Sequence, residues 1–224
     1  MVRMAARIAP VLFLLASGCA AAPAPAPGPA DPPGPPPGEV RRKALAALDD
    51  LEAGFDDHWG SVERTAAFRR LSAVHVPVLR ATADANGPQA LMALRVLERL
   101  APEESFSVAA RAHIYAAALA RERSFARWGA IGPAGFLPGV YGAELLKLGA
   151  AATVPLRRLL TDRRRAPIRA GRAEEAANRL QGDRVCDYAW VFLATIHDRP
   201  IAYFTDPHDR DEAIRQFDLW LDRR

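Results

Sequence analysis

Residues 141–162 read YGAELLKLGAAATVPLRRLLTD, and this stretch decides the fold class. Its apolar residues cluster at helical spacing, and two helices are expected, at about 140–148 and 151–161, joined by a short loop. No alternation of apolar and polar residues suggests a strand. Moving outward, the same arrangement recurs. Ala44, Leu48, Leu51 and Phe55 follow one another at intervals of 4, 3 and 4, which places them on one helix face. Ser61 is an expected N-cap for a second helix carrying Phe68, Leu71, Val74 and Val78. Asn86-Gly87-Pro88 breaks the chain before a third helix with Leu91, Leu94, Leu97 and Leu100, which Pro102 stops. Residues 105–122 are rich in alanine, with Ile114, Ala118 and Leu119 facing inward. Residues 129–142 hold five glycines and two prolines, and are expected to be the one long irregular stretch of the body. A last helix is expected from Pro207, capped by Asp206, to Leu221.

Composition agrees with a helical reading. The 224 residues include 46 Ala but only 13 Val and 7 Ile, a balance that favours helix over an all-β sandwich or barrel. No apolar run reaches the ~20 residues that a membrane-spanning helix needs. The expectation is an all-α body from about residue 39 to 224, built as a solenoid or an irregular bundle of helix–short loop–helix units.

The solenoid alternative draws on a resemblance. Leu145-x-x-Leu148-Gly149, Val154-Pro155-Leu156 and Leu159-Leu160-x-Asp162 resemble a HEAT repeat. In that family one helix ends at a Leu-Gly turn, a second carries proline near its start, and an aspartate follows. Val76-Pro77 in the stretch LSAVHVPVL (71–79) matches Val154-Pro155, 78 residues later and so two periods of 39. HEAT units run ~40–47 residues. The resemblance covers one clear unit and one weak one, and it implies packing positions rather than chemistry.

The N-terminus reads as an address. Arg3 and Arg7 precede the nine-residue apolar run IAPVLFLLA (8–16), the length of a signal-peptide core and too short for a permanent span. Ala16-Ser17-Gly18-Cys19 then resembles the lipobox of bacterial lipoproteins, which prefers Leu where this chain has Ala16. That resemblance implies cleavage after residue 18, acylation of Cys19 and a membrane anchor. Ala20, in place of the aspartate that retains lipoproteins in the inner membrane, implies an outer-membrane location facing the periplasm. The competing reading is an ordinary secretory signal cut near residues 20–22. Loss of Arg3 and Arg7 lowers the net charge from +4 to +2, no basis for nucleic-acid binding. Residues 20–38 carry nine prolines in nineteen positions and read as a semi-rigid or disordered linker.

Candidate chemistry is sparse. The five histidines (His58, His75, His113, His197, His208) make no zinc spacing, and the chain has no nucleophile elbow and no phosphate loop. No catalytic residue, cofactor or metal ligand is nominated. Cys186, alone if Cys19 is acylated, is expected to be a buried small apolar residue. Two features stand out. Arg157, Arg158, Arg163, Arg164, Arg165, Arg169 and Arg172 fall within sixteen residues with only Asp162 opposing them in sequence. They read either as a solvated helix end or as an interaction patch for an anionic surface or acidic partner, for which arginine's fork is suited. Tyr188, Trp190, Phe192, Tyr203, Phe204, Phe217 and Trp220 crowd the C-terminal region, and residues 184–196 are expected to form the most buried helix. RVCDYA (184–189) also resembles a run, Arg-Val-x-Asp-x-Ala, seen after HEAT units in uncharacterised bacterial proteins.

Three function classes follow. The first is an envelope-anchored, non-enzymatic scaffold lipoprotein with a protein partner. The second is a small-ligand or lipid carrier using the aromatic C-terminal region. The third is an enzyme with an unrecognised site.

Overall fold

A proline starts the first helix. Pro37 occupies the opening turn of α1 (Pro37–Ala53), where an N–H would have no intrahelical partner, so the body begins two residues before the expected Glu39. Val40, Ala44, Ala47, Leu48 and Leu51 turn inward along α1. This computed structural model describes residues 36–54, 62–104, 106–121, 127–165 and 182–223, all within the compact unit Pro35–Arg224. The expected signal, Cys19 and residues 20–35 of the expected linker lie outside the described residues, as do Phe55, His58, Ser61, Arg169 and Arg172.

The chain is mostly helical. A single turn of 3₁₀ helix, Val62–Arg64, leads to α2 (Ala66–Arg69), whose N-cap Thr65 accepts from the Phe68 N–H at 3.0 Å. The single helix expected over Phe68–Val78 is therefore broken. Leu71 and Ser72 leave helical geometry, the Ser72 N–H donates to His75 Nδ1 at 3.1 Å, and Pro77 opens α3 (Val76–Asp84). Local caps override apolar spacing there. Asn86, at φ 51°, makes the expected turn into α4 (Ala90–Leu100), and α5 (Val108–Arg121) follows a 3₁₀ turn over Pro102–Glu104. α3 packs against α4, α4 against α5, and α1 against α2, α3 and α4.

Residues 129–142, expected to be irregular, hold a small sheet within a mostly helical fold. β1 (Gly129–Gly132) and β2 (Gly135–Pro138) form an antiparallel hairpin, with Ala130 opposite Leu137 and Ile131 opposite Phe136. Gly129 and Gly135 take positive φ. Gly129 sits at φ 139°, and a Cβ there would lie 2.5 Å from the Leu137 carbonyl oxygen. Ile131 and Phe136 are half-buried, while Ala130 and Leu137 face solvent. The hairpin is held down by the Phe136 ring against Phe192, edge to face at 5.1 Å, and by Tyr188, whose hydroxyl donates to the Gly129 carbonyl at 2.9 Å.

α6 (Val140–Lys147) and α7 (Thr153–Arg157) follow, joined by a 3₁₀ turn over Gly149–Ala152 that Gly149 enters at φ 55°. The second helix is shorter than expected, since turns replace helix from Arg158 to Thr161. α8 (Val185–Ile196) is the most buried helix, as the sequence predicts, with every residue from Val185 to Ala194 inside. It packs on α6, α7 and α9 (Pro207–Leu221). At ~1.5–3 kcal/mol for each large apolar side chain, this helix is the largest single contribution to the core. Trp128 lies fully buried beside it, its ring edge to face with Tyr115, Tyr141 and Phe192 at 6.4, 5.6 and 6.2 Å. All buried apolar residues among those described fall between Val40 and Phe217, so the unit Pro35–Arg224 contains its own core.

Candidate functional site

The arginine run does not stand unopposed. Arg157, at the end of α7, donates from Nε to Asp218 at 2.6 Å and from Nη2 to Asp222 at 2.5 Å. Arg163 pairs with Asp211. Arg164 donates to the Asp162 carboxylate at 2.8 Å and to the Ala120 carbonyl at 3.0 Å. The expectation that only Asp162 faces this run is therefore corrected: α9 and its C-cap Asp222 supply three more carboxylates, 48 to 65 residues away in sequence. A signal was present. Asp211, Asp218 and Asp222 are spaced 7 and 4, one face of a helix, and that face meets the arginines. Arg163 and Arg164 are exposed although paired, whereas Arg158 and Arg165 are exposed and enter no ion pair among the described residues.

Beneath the patch lies a layer of charge that sequence reasoning missed. Residues 162–165 run extended beside the start of α8, with the Val185 N–H bonded to the Arg164 carbonyl at 3.0 Å and the Cys186 N–H to the Asp162 carbonyl at 2.9 Å. Arg165 and Arg184 form an isolated antiparallel bridge. The Asp187 carboxylate accepts the Arg184 backbone N–H at 2.9 Å, the same residue's guanidinium at 2.8 Å and the Arg210 guanidinium at 2.8 Å. Arg210 also reaches Asp183 at 3.3 Å, and Arg184 reaches Asp211 at 2.8 Å. Asp187 and Arg210 side chains are only 2% and 6% exposed, so their charges stand because they are paired. Three arginines (163, 184, 210) alternate with three aspartates (183, 187, 211), and the arrangement ties residues 162–165, α8 and α9 together.

Burial sets the electrostatics of this layer. Loss of solvent, then the neighbouring Asp187 charge, pushes the Asp183 carboxyl up to about 6 against the pull of Arg210 and Arg184. Burial would also raise Asp211, but hydrogen bonds from Arg163 and Arg184 hold it below the usual carboxylate range. The hydrogen bond from Arg164 does the same for Asp162. The buried Cys186 thiol is pushed up to about 12, chiefly by burial and then by Asp187, which makes it an unreactive small residue as expected.

The aromatic C-terminal residues pack inward. Trp190 stacks on Phe204 at 6.4 Å, Phe217 and Trp220 meet at 5.4 Å, and His197 lies edge-on to Trp220 while hydrogen-bonded to Thr153 Oγ1 at 3.0 Å. Asp206 caps α9 by accepting the His208 N–H at 2.8 Å, and His75 is buried at the break before α3. No group of His, Cys, Asp and Glu among the described residues has the geometry to hold a metal ion, and no described helix is long and apolar enough to cross a membrane. No protein-family model, curated protein or solved structure matches the chain.

Proposed function

We propose that this chain is a lipid-anchored protein of the bacterial cell envelope, acylated at Cys19, whose helical body binds a protein partner and performs no catalysis. The observation that carries the reading is the succession in the sequence: an Arg-flanked apolar run ending in Ser17-Gly18-Cys19, a proline-rich linker, then a helical body. Ala20 favours the outer membrane, with the body facing the periplasm. Within that body a HEAT-like organisation is supported by the local form of residues 140–157, a helix, a left-handed Gly149 turn, and a second helix with Pro155 near its start. Pro77 stands likewise in the first turn of α3. Stacked units of this kind present a continuous surface to partners. The exposed cations Arg158 and Arg165 mark the side on which an acidic partner would dock.

Metabolic labelling with an alkyne fatty acid tests the anchor. Label on the wild type and none on Cys19→Ala is expected, and equal labelling of both would overturn the proposal. Pull-down from solubilised envelopes tests the partner, with one protein recovered in stoichiometric amount as the expected result. Bound lipid without a protein would favour a carrier instead.

A further inference from the structure

An open groove of about 620 Å³ lies between α1 and α3, bordered by the turn residues Gly87–Gln89. Its volume falls within the ~300–1,000 Å³ of small-molecule sites. Leu45 of α1, Val78 and Ala81 of α3, and Ala85 just after α3 give it apolar walls. Thr82 adds little polarity, because its hydroxyl donates back to the Val78 carbonyl at 2.8 Å. One lining residue is charged, Arg41, which is exposed and enters no ion pair among the described residues.

The two ends of the groove differ in how far their polar groups are engaged. Arg41, Leu45 and Asp49 recur every four residues and so share a face of α1, at ~6 Å steps along its axis. At the far end the Gln89 side-chain amide donates to the Leu45 carbonyl at 3.3 Å and to the Asp49 carboxylate. A cation that enters no ion pair among the described residues therefore stands at one end, with apolar wall beyond it. At the other end the polar groups are already engaged, the Gln89 amide with Asp49 and the Arg121 guanidinium with the Gly87 carbonyl at 3.0 Å, so an anionic headgroup is met at the Arg41 end. Arg42, exposed beside Arg41, adds to this, while Lys43 is paired with Glu39 at 2.6 Å. We infer that the groove takes a single-chain anionic amphiphile, a free fatty carboxylate, with its headgroup at Arg41 and its alkyl chain running over Leu45 and Ala81 toward Gln89. The headgroup attraction is that of an exposed arginine, worth a few-fold in affinity, and the apolar walls supply the rest. This site shares no lining residue with the arginine surface and does not depend on acylation of Cys19.

Calorimetric titration at pH 8 tests it, using the chain from residue 20 onward, which contains the whole described core. Sodium dodecanoate below its micellar concentration is the probe, and dodecyltrimethylammonium, with the same chain and opposite charge, is the control. Saturable binding of one dodecanoate per chain is expected, with the cationic analogue at least tenfold weaker. Arg41→Glu should weaken dodecanoate about tenfold, and Ala81→Phe, which fills the groove from an exposed helix position, should abolish saturation while leaving the unfolding temperature unchanged. The inference is overturned by non-saturating heats with the wild type, by equal affinity for the two amphiphiles, by an Arg41→Glu variant that binds as the wild type does, or by saturation in a folded Ala81→Phe variant.

Discussion

Arg210 and Asp187, 23 residues apart in sequence, meet at 2.8 Å where the last helix crosses the first turn of the most buried one. The contact is nearly dry, and its energetics are those of a buried pair. Such a pair contributes little relative to apolar residues of the same shape, yet removing one partner is costly because the other charge is left uncompensated. Arg210→Met should destabilise the body by about 3 kcal/mol, the low end of the ~3–5 found for such losses, since Arg184 still faces Asp187. Urea unfolding measures it. A loss below ~1 kcal/mol would mean that the pair is solvated.

Asp183 gives the same network a pH dependence of definite sign. Its carboxyl titrates at about 6 in the folded protein, above its ordinary value of 3.8, so the folded state binds this proton more tightly than the unfolded chain. The group's penalty is full above pH 6 and is relieved as pH falls toward 4, which means that this residue alone makes the protein more stable in that window. Asp183→Asn should therefore stabilise the protein at pH 7.5, by an amount of order 1–3 kcal/mol, and the gain should vanish near pH 4. An equal effect at both pH values would contradict the raised titration.

Close approach predicts a third outcome. α6 packs so tightly on the residue before the hairpin that a Cβ on Gly142 would lie 2.0 Å from the Trp128 carbonyl oxygen. The obstacle is backbone, and it cannot swing aside as a side chain would. Gly142→Ala should cost ~1–3 kcal/mol, as overpacking does, and should alter the near-ultraviolet circular dichroism of buried Trp128. A variant with wild-type melting and an unchanged aromatic signal would show that α6 can shift freely.

What the sequence discloses here tracks how local the cause is. Asp206-Pro207 opens α9, Asn86-Gly87-Pro88 breaks the chain before α4, and residues 184–196 form the most buried helix, because each depends on neighbours in sequence. The hairpin escaped notice because its strands hold four residues each and its glycines and prolines read as loop; what makes it a hairpin is Phe136 on Phe192 and Tyr188 on Gly129, contacts 56 and 59 residues long. The charged layer escaped for a similar reason. Local spacing shows seven arginines together, whereas the aspartates that answer Arg157 and Arg163 come from α9.

That pairing divides the arginine run into two kinds of residue, with different consequences when charge is reversed. Arg163 is joined to Asp211, which itself bonds Arg184. Arg163→Glu would set a carboxylate against Asp211 beside the buried layer, and the unfolding temperature should fall. Arg158 and Arg165 are exposed and enter no ion pair among the described residues, and exposed charges contribute only ~0–1 kcal/mol to stability. Arg158→Glu with Arg165→Glu should therefore melt with the wild type. If the patch docks an acidic partner, the double variant should recover much less of that partner from solubilised envelopes. Wild-type capture should also weaken as salt rises, because exposed charges are screened over ~8–10 Å at physiological ionic strength. A folded double variant that captures the partner as the wild type does would leave these arginines as ordinary solvated surface.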